Sequence, residues 1–130
     1  MTKGKQISLP FVDIKNAILG KNYELSILFA TPDFAQKLNK EYRKKSYTPN
    51  VLSFPYSKNS GEIVLSLKVI RESASDYDYT YHDFIGYLLI HGCLHLKGME
   101  HGGIMESEEE KYKKKFKIYS KSKSSLSLKK

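Results

Sequence analysis

Residues 80–101 read TYHDFIGYLLIHGCLHLKGMEH, and this stretch decides the fold. Up to Leu96 it is apolar on nearly every side of a helix, a pattern typical of a helix inside a domain. Thr80, with Asp83 three residues later, resembles a capping box and predicts where this helix begins. Gly98 suits the left-handed position that often ends a helix. We therefore predict a central buried helix that reaches Leu96.

Three histidines in this stretch have the spacing of a metal site. His91 and His95 are four residues apart and share one helical face, and a turn at Gly98 would let the chain present His101 to the same ion. Three imidazoles leave a fourth position open for water, which is typical of a catalytic zinc site. We predict one zinc ion per chain on His91, His95 and His101. The alternative is two ordinary core histidines and one surface histidine.

The other reactive side chains nearby are interpreted more simply. Cys93 lies on a different helical face from His91 and His95 and is expected to be a small core residue. His82 is expected to be exposed near the start of the helix. Glu100 either orients a ligand histidine or is a solvated loop acid, and the sequence leaves both interpretations open.

The spacing H-x-x-x-H-x-x-G-x-x-H also occurs in metzincin-type metalloproteases, so a metzincin-like metallohydrolase is a competing hypothesis. In those enzymes a glutamate general base follows the first histidine, and here that residue is Gly92. Without the carboxylate, a peptidase lacks the group that activates water. Three neutral imidazoles also leave the charge of a divalent metal undiminished, which favours an anionic substrate such as a phosphodiester.

The rest of the chain alternates strands and helices without internal repeats, which predicts an α+β (mixed α/β) fold with a small mixed sheet packed by helices. Strands are expected at 6–9, 23–29, 51–54 and 62–67, the third ended by Pro55. Helices are expected from a cap at Asp13 to Gly20, from a cap at Thr31 to Arg43, at 68–75, and from about Met105. The helix that ends at Arg43 should bury Phe34, Leu38 and Tyr42.

The positive charge of the chain lies at its C-terminal end. Nine lysines and no acid occupy residues 111–130, so the net charge of +8 leaves thirteen basic against fourteen acidic groups in residues 1–110. The last helix is expected to bury Tyr112, Phe116 and Tyr119 and to pair Glu109 with Lys113 and Glu110 with Lys114. We expect residues 1–119 to form one domain and residues 120–130 a disordered Lys/Ser-rich tail, either solubilising or in contact with RNA.

Composition sets the class of the protein. Hydrophobic residues make up 40% of the 130, which suits a folded domain rather than a disordered chain. The sequence contains no apolar run of the roughly 18 residues that a bilayer span needs and no apolar core of a signal peptide, so the expected location is the cytoplasm. A single cysteine cannot form an internal disulfide, which agrees with a reducing compartment.

The histidine stretch HGCLHLKGMEH at 91–101 resembles the signature of the YbeY family of bacterial endoribonucleases, H-G-x-L-H-L-x-G-x-D-H. Upstream, LNKEYR at 38–43, VLSFP at 51–55 and GEI at 61–63 follow the order and spacing of the family, so the resemblance covers about residues 23–119. Two positions depart from it. The family's Asp before the last histidine is Glu100 here, and its Thr-Asp before Val-Leu-Ser-Phe-Pro is Pro49-Asn50.

The resemblance implies a zinc-dependent, single-strand-specific endoribonuclease in ribosomal RNA processing, notably 16S rRNA maturation, and in ribosome quality control. The family's zinc ligands correspond to His91, His95 and His101, and its arginine to Arg43. Arg43 and His91 are therefore the candidate catalytic residues, and an arginine suits phosphate oxygens because it binds them bidentately. The implied partners are single-stranded RNA or rRNA, the small ribosomal subunit, ribosomal proteins and an assembly GTPase.

A second hypothesis makes the chain a ribosome-assembly factor that binds RNA or a ribosomal protein, with a mainly structural metal. The neutral body and the lysine-rich end favour it, because lysines add affinity for RNA without positioning a scissile bond.

Overall fold

The computed structural model describes residues 8–122. Within that range the chain forms five α-helices, a short 3-10 helix and a three-stranded sheet. The helices are α1 Phe11–Leu19, α2 Pro32–Arg43, α3 Leu67–Ser73, α4 Tyr81–Leu96 and α5 Gly103–Lys115, and the 3-10 helix Ala74–Tyr77 follows α3. The strands are β1 Glu24–Phe29, β2 Val51–Ser57 and β3 Ser60–Leu65.

The sheet is small and mixed, as predicted, with β3 in the middle and the order β1-β3-β2. β1 runs parallel to β3 with Ile27 opposite Ile63, and β2 runs antiparallel to β3 with Ser53 opposite the same residue. Strand β2 follows α2 through the loop at 44–50, so the sheet edge that β2 forms and the end of α2 lie close to each other in the chain. The α+β class is confirmed.

Helix α4 is the central buried helix that the sequence predicts. It packs against α1, α5, β2 and β3, and its side chains from Phe84 to Leu94 form the middle of the core. The Thr80 hydroxyl accepts a hydrogen bond from the Asp83 amide at 3.2 Å, which confirms the predicted cap. Gly98 has a φ of 107°, so the predicted left-handed position after the helix is confirmed as well.

Strand β2 is longer than the sequence indicated. It passes through Pro55, which lies opposite Gly61, and ends at Ser57 after a register shift. The prediction that Pro55 ends the strand was wrong because β2 is an edge strand, where a proline can sit with its missing N–H facing away from the sheet. Strand β3 begins at Ser60 and ends at Leu65, since Ser66 is the N-cap of α3, which begins at Leu67.

Helix α2 differs from expectation in the face that it buries. Helix α2 has the predicted cap, with the Thr31 hydroxyl accepting from the Phe34 amide at 3.2 Å, but it buries Ala35 and Asn39. Phe34 is 43% exposed and Tyr42 62% exposed, so the aromatic stripe predicted as core was wrong for both. Small residues approach the body here, and the Asn39 amide donates to the Tyr47 carbonyl at 3.0 Å.

The first and last described parts of the chain also differ from the predictions. Helix α1 begins at Phe11 after Pro10, so Asp13 lies in its first turn and is not the cap. The strand predicted at 6–9 has no counterpart at Ser8 and Leu9, and its first two residues lie outside the described residues. At the other end, the amides of Lys121 and Ser122 donate to Asp78, so the chain still contacts the body there. Most of the predicted tail lies outside the described range.

Among the described residues, no helix is both long enough and apolar enough to cross a membrane. The single cysteine, Cys93, is buried with a free thiol, as predicted for a small core residue.

Candidate metal centre

Helix α4 and the turn after it bring the three predicted histidines together. His91 and His95 project from the C-terminal half of α4, and His101 lies just before α5. One ring nitrogen from each histidine lies within 4.8 Å of the other two, and the Nε2 atoms of His91 and His95 are 3.1 Å apart. Three imidazoles at these distances are positioned to bind one metal ion.

The turn at the end of α4 explains how His101 arrives there. The Gly98 amide donates to the His95 carbonyl at 2.9 Å, and the Met99 amide donates to the Leu94 carbonyl at 3.1 Å. These bonds satisfy the last carbonyls of the helix, and the left-handed Gly98 lets the chain reverse. His101 then faces the two helical imidazoles, with its ring centroid 4.7 Å from that of His95.

The outer nitrogens of the two helical histidines are both hydrogen-bonded. His91 Nδ1 lies 2.5 Å from a carboxylate oxygen of Glu109, and His95 Nδ1 lies 2.9 Å from the Met99 carbonyl. Both partners are acceptors, so each Nδ1 carries the proton and each Nε2 presents a lone pair. Two lone pairs 3.1 Å apart repel each other, and a cation between them removes that repulsion. The donor set therefore fits a divalent metal ion.

Burial favours the neutral form of His95, one of the three histidines. The pKa of His95 is lowered, chiefly by burial and then by the neighbouring His91, so the imidazole stays unprotonated and available as a ligand. Beside it, burial raises the pKa of the Cys93 thiol to about 12, which makes Cys93 a core residue rather than a thiolate ligand.

The contact of Glu109 with His91 is the part of the site that the sequence does not predict. We predicted a Glu109–Lys113 pair, but Lys113 pairs with Glu110 at 3.0 Å and Glu109 turns inward to His91. A signal was present, because Glu109 lies four residues after Met105 and three before Tyr112, both of which α5 buries. An acid on the buried stripe of a helix implies a partner inside the protein.

Arg43 is the last residue of α2 and lines the same cavity as the histidines. Its guanidinium donates to the Ser53 carbonyl on the outer edge of β2 and lies 5.6 Å from the centroid of the Phe54 ring. The side chain is otherwise open to solvent, and it lines the same cavity of about 710 Å³ as the three histidines. Lys45 and Tyr47 line this side of the cavity too.

The position after the first histidine is Gly92, which has no general base and lies in a tightly packed place. A Cβ atom on Gly92 would lie 3.0 Å from Ile63 Cδ1 and 3.0 Å from Ser53 Oγ, so this residue packs against the sheet. Glu100 is exposed at the rim of the cavity, and within residues 8–122 it makes no hydrogen bond to a histidine, which favours the solvated-acid interpretation. His82 is exposed, as expected, and contacts Asp83 and the Ser8 carbonyl.

Comparison with known proteins agrees with this geometry. The family model described as Endoribonuclease YbeY matches residues 6–123. Proteins named Endoribonuclease YbeY are similar to this chain: that of Polynucleobacter asymbioticus is 38% identical over 70% of the chain, and that of Bdellovibrio bacteriovorus is 40% identical over 60%. The alignments cover 57% and 53% of those two proteins. The relative from Carboxydothermus hydrogenoformans is 34% identical, with 71% of each chain covered.

A solved structure shows the same fold. The solution structure of a Thermotoga maritima protein superposes with a TM-score of 0.58 at 24% identity, and the match covers 85% of this chain and 82% of that one.

Proposed function

Because this chain belongs to the YbeY family, we propose that it is a metal-dependent endoribonuclease that hydrolyses phosphodiester bonds within single-stranded RNA. One observation carries the proposal: ring nitrogens of three histidines lie within 4.8 Å of one another and share a cavity with an exposed arginine. A cation site facing a guanidinium suits a substrate with a negative charge at its reacting centre.

The metal in this proposal is one zinc ion per chain, held by His91, His95 and His101. Three imidazole nitrogens are a ligand set that zinc favours, and they leave a fourth position open towards the cavity. When bound there, zinc would supply Lewis-acid activation of a phosphate oxygen or of the attacking water. In this assignment His91 is catalytic as a ligand that touches the reacting metal centre.

Arg43 is assigned to the phosphate. Its contacts with the Ser53 carbonyl and the Phe54 ring hold the guanidinium at the cavity, so little side-chain entropy is lost when it binds. A guanidinium donates two parallel hydrogen bonds to phosphate oxygens and keeps its charge at any physiological pH. It would therefore orient the scissile phosphate and stabilise the additional negative charge of the transition state.

The site supports a peptidase poorly. Gly92 occupies the position of the metzincin glutamate, so the general base is missing, and a Cβ atom there would be in tight contact with Ile63 and Ser53. The charged side chains around the cavity are Arg43 and Lys45 on one side and Glu100 at the rim, a balance that favours a polyanion over a neutral amide.

For the biological role we propose ribosomal RNA processing in the cytoplasm, notably 16S rRNA maturation, together with ribosome quality control. The proposed partners are the small ribosomal subunit, its proteins and an assembly GTPase. The exposed lysines of α5, Lys111, Lys114 and Lys115, support a polyanionic partner, because they add salt-dependent attraction to RNA. The same lysines favour the second candidate, an assembly factor in which the metal is structural.

The test measures cleavage of single-stranded ribosomal RNA fragments with bound zinc, after chelation, and after zinc is restored. We expect chelation and His95→Ala each to reduce cleavage by about 100-fold or more, because both remove the Lewis acid. His82→Ala is the matched control, since His82 is an exposed histidine on the same helix outside the cavity. Cleavage that survives both chelation and His95→Ala would contradict the proposal.

A further inference from the structure

We propose that Glu109 is the positioning residue of the metal centre: its carboxylate orients His91 and supplies the negative charge that the three imidazoles lack. This inference rests on the metal site proposed above. Glu109 is 8% exposed on the inner face of α5, and its Oε2 lies 2.5 Å from His91 Nδ1. The contact joins two helices, α4 and α5, at the metal centre.

The second oxygen of the same carboxylate is held as well. The Tyr87 hydroxyl donates to Glu109 Oε1 at 3.4 Å, and Tyr87 lies one helical turn before His91 on α4. The chain of contacts Tyr87–Glu109–His91 therefore aims one oxygen at the imidazole. Burial and the nearby Glu109 charge both raise the pKa of Tyr87, so its hydroxyl remains a donor.

The charge of Glu109 has no lysine or arginine partner among the described contacts. Lys113, one turn later on α5, directs its ammonium to Glu110 at 3.0 Å instead. A buried carboxylate is stabilised by hydrogen-bond donors and by positive charge near it. His91 connects the carboxylate to the metal site. When its Nδ1–H donates to a carboxylate, its Nε2 atom becomes a stronger metal ligand. The carboxylate thus complements a divalent cation on the far side of the ring.

The two helical histidines differ in the charge of the group that their Nδ1 atom contacts. His95 Nδ1 donates to the neutral Met99 carbonyl, whereas His91 Nδ1 faces a full negative charge. We therefore assign the larger share of metal affinity to the Glu109–His91 pair.

The experiment compares Glu109→Gln with Glu108→Gln in the full-length chain. Glutamine keeps an acceptor oxygen and removes the charge, and Glu108 is a matched control because it pairs with Lys111 on another side of α5. Zinc affinity is measured by competition with a chelating dye, and the Co²⁺ absorption spectrum reports ligand geometry. We expect Glu109→Gln to weaken Zn²⁺ and Co²⁺ binding by about 10–100-fold, and Glu108→Gln to leave both unchanged.

A second, milder variant tests the inference in case Glu109→Gln does not fold. Tyr87→Phe keeps the ring and removes the hydroxyl that holds Glu109, so we expect a smaller loss of zinc affinity with a shifted Co²⁺ spectrum. If Glu109→Gln binds zinc as tightly as the unchanged chain, or if Glu109→Gln unfolds and Tyr87→Phe changes neither readout, the inference is wrong. If the unchanged chain binds no zinc at all, the metal site of the proposed function fails instead.

Discussion

The two sides of the cavity are built in opposite ways. One side, which we call the helical wall, consists of His91 and His95 on α4 with Glu109 behind them, and its side chains are half-buried or buried with each outer nitrogen hydrogen-bonded. The other, the open wall, consists of Arg43, Lys45 and Tyr47, which are exposed and lie around the edge strand β2.

The difference separates two physical requirements. A metal site needs neutral nitrogens held in place, which burial and hydrogen bonds supply at the helical wall. A polyanion needs charged groups that remain in contact with water until it arrives, which the open wall supplies. Substitutions in the helical wall should therefore change stability, whereas substitutions in the open wall should change RNA binding and cleavage alone.

The largest expected effect on stability comes from the core beneath the helical wall. Leu94 lies between His91 and His95 in the sequence, and its side chain is fully buried. Leu94→Ala therefore removes apolar contacts and leaves a cavity. We expect a loss of about 2–5 kcal/mol in the free energy of unfolding, measured by urea denaturation. The matched variant in the open wall is Tyr47→Ala, which should cost about 0.5 kcal/mol or less because Tyr47 is 62% exposed. Equal losses would contradict the distinction between the walls.

Within the open wall, the largest expected effect on activity comes from Arg43. Arg43→Ala should reduce the rate of RNA cleavage by about 100-fold, the range for removing one donor to a transition-state charge, while the urea midpoint stays the same. Arg43→Lys should recover part of the rate, since lysine keeps the charge and loses the bidentate geometry. Arg71→Ala is the control, because Arg71 stacks on Tyr81 at 3.9 Å and is not in the cavity.

The same variant distinguishes an enzyme from an assembly factor. If Arg43→Ala folds, binds RNA and fails to support 16S rRNA maturation in cells, catalysis is the function. Full maturation with Arg43→Ala would favour a ribosome-assembly factor with a structural metal.

The smallest expected effect comes from the C-terminal tail. The contacts of Lys121 and Ser122 with Asp78 place the cut after residue 122, so the truncation removes residues 123–130 with three of the lysines. Stability should not change. Each lysine that binds a phosphate contributes about −0.7 to the slope of log affinity against log salt on single strands, so the slope should become shallower by up to about 2. An unchanged slope would show that the tail only keeps the chain in solution.

The helical wall could be predicted from the sequence because its signals are local. A run that is apolar on all sides has to be a core helix, and the cap at Thr80 and the glycine at 98 mark its ends. The spacing of His91 and His95 follows directly from the helix. The family resemblance, rather than any pattern in the residues, pointed to Arg43, since exposed arginines at helix ends are common.

The parts that sequence reasoning missed depend on tertiary contacts. Phe34 and Tyr42 have helical spacing, but no pattern can show that α2 would approach the body through Ala35 and Asn39. Pro55 reads as a strand end unless the strand is known to lie at an edge. Glu109 fits two patterns: it could pair with Lys113 four residues later, or it could lie on the buried stripe of α5. Only the position of α4, which places His91 beside it, decides between these two.

Cys93 lies between the two helical histidines, is fully buried, and has a pKa of about 12. At neutral pH almost none of the thiol is thiolate, and no alkylating reagent can reach it while α4 is closed. Because it is the only cysteine in the chain, its rate of alkylation measures how often this one helix opens in the native protein. The helix that carries two of the three proposed metal ligands therefore contains a chemical probe of its own local unfolding, two residues from His91 and two from His95.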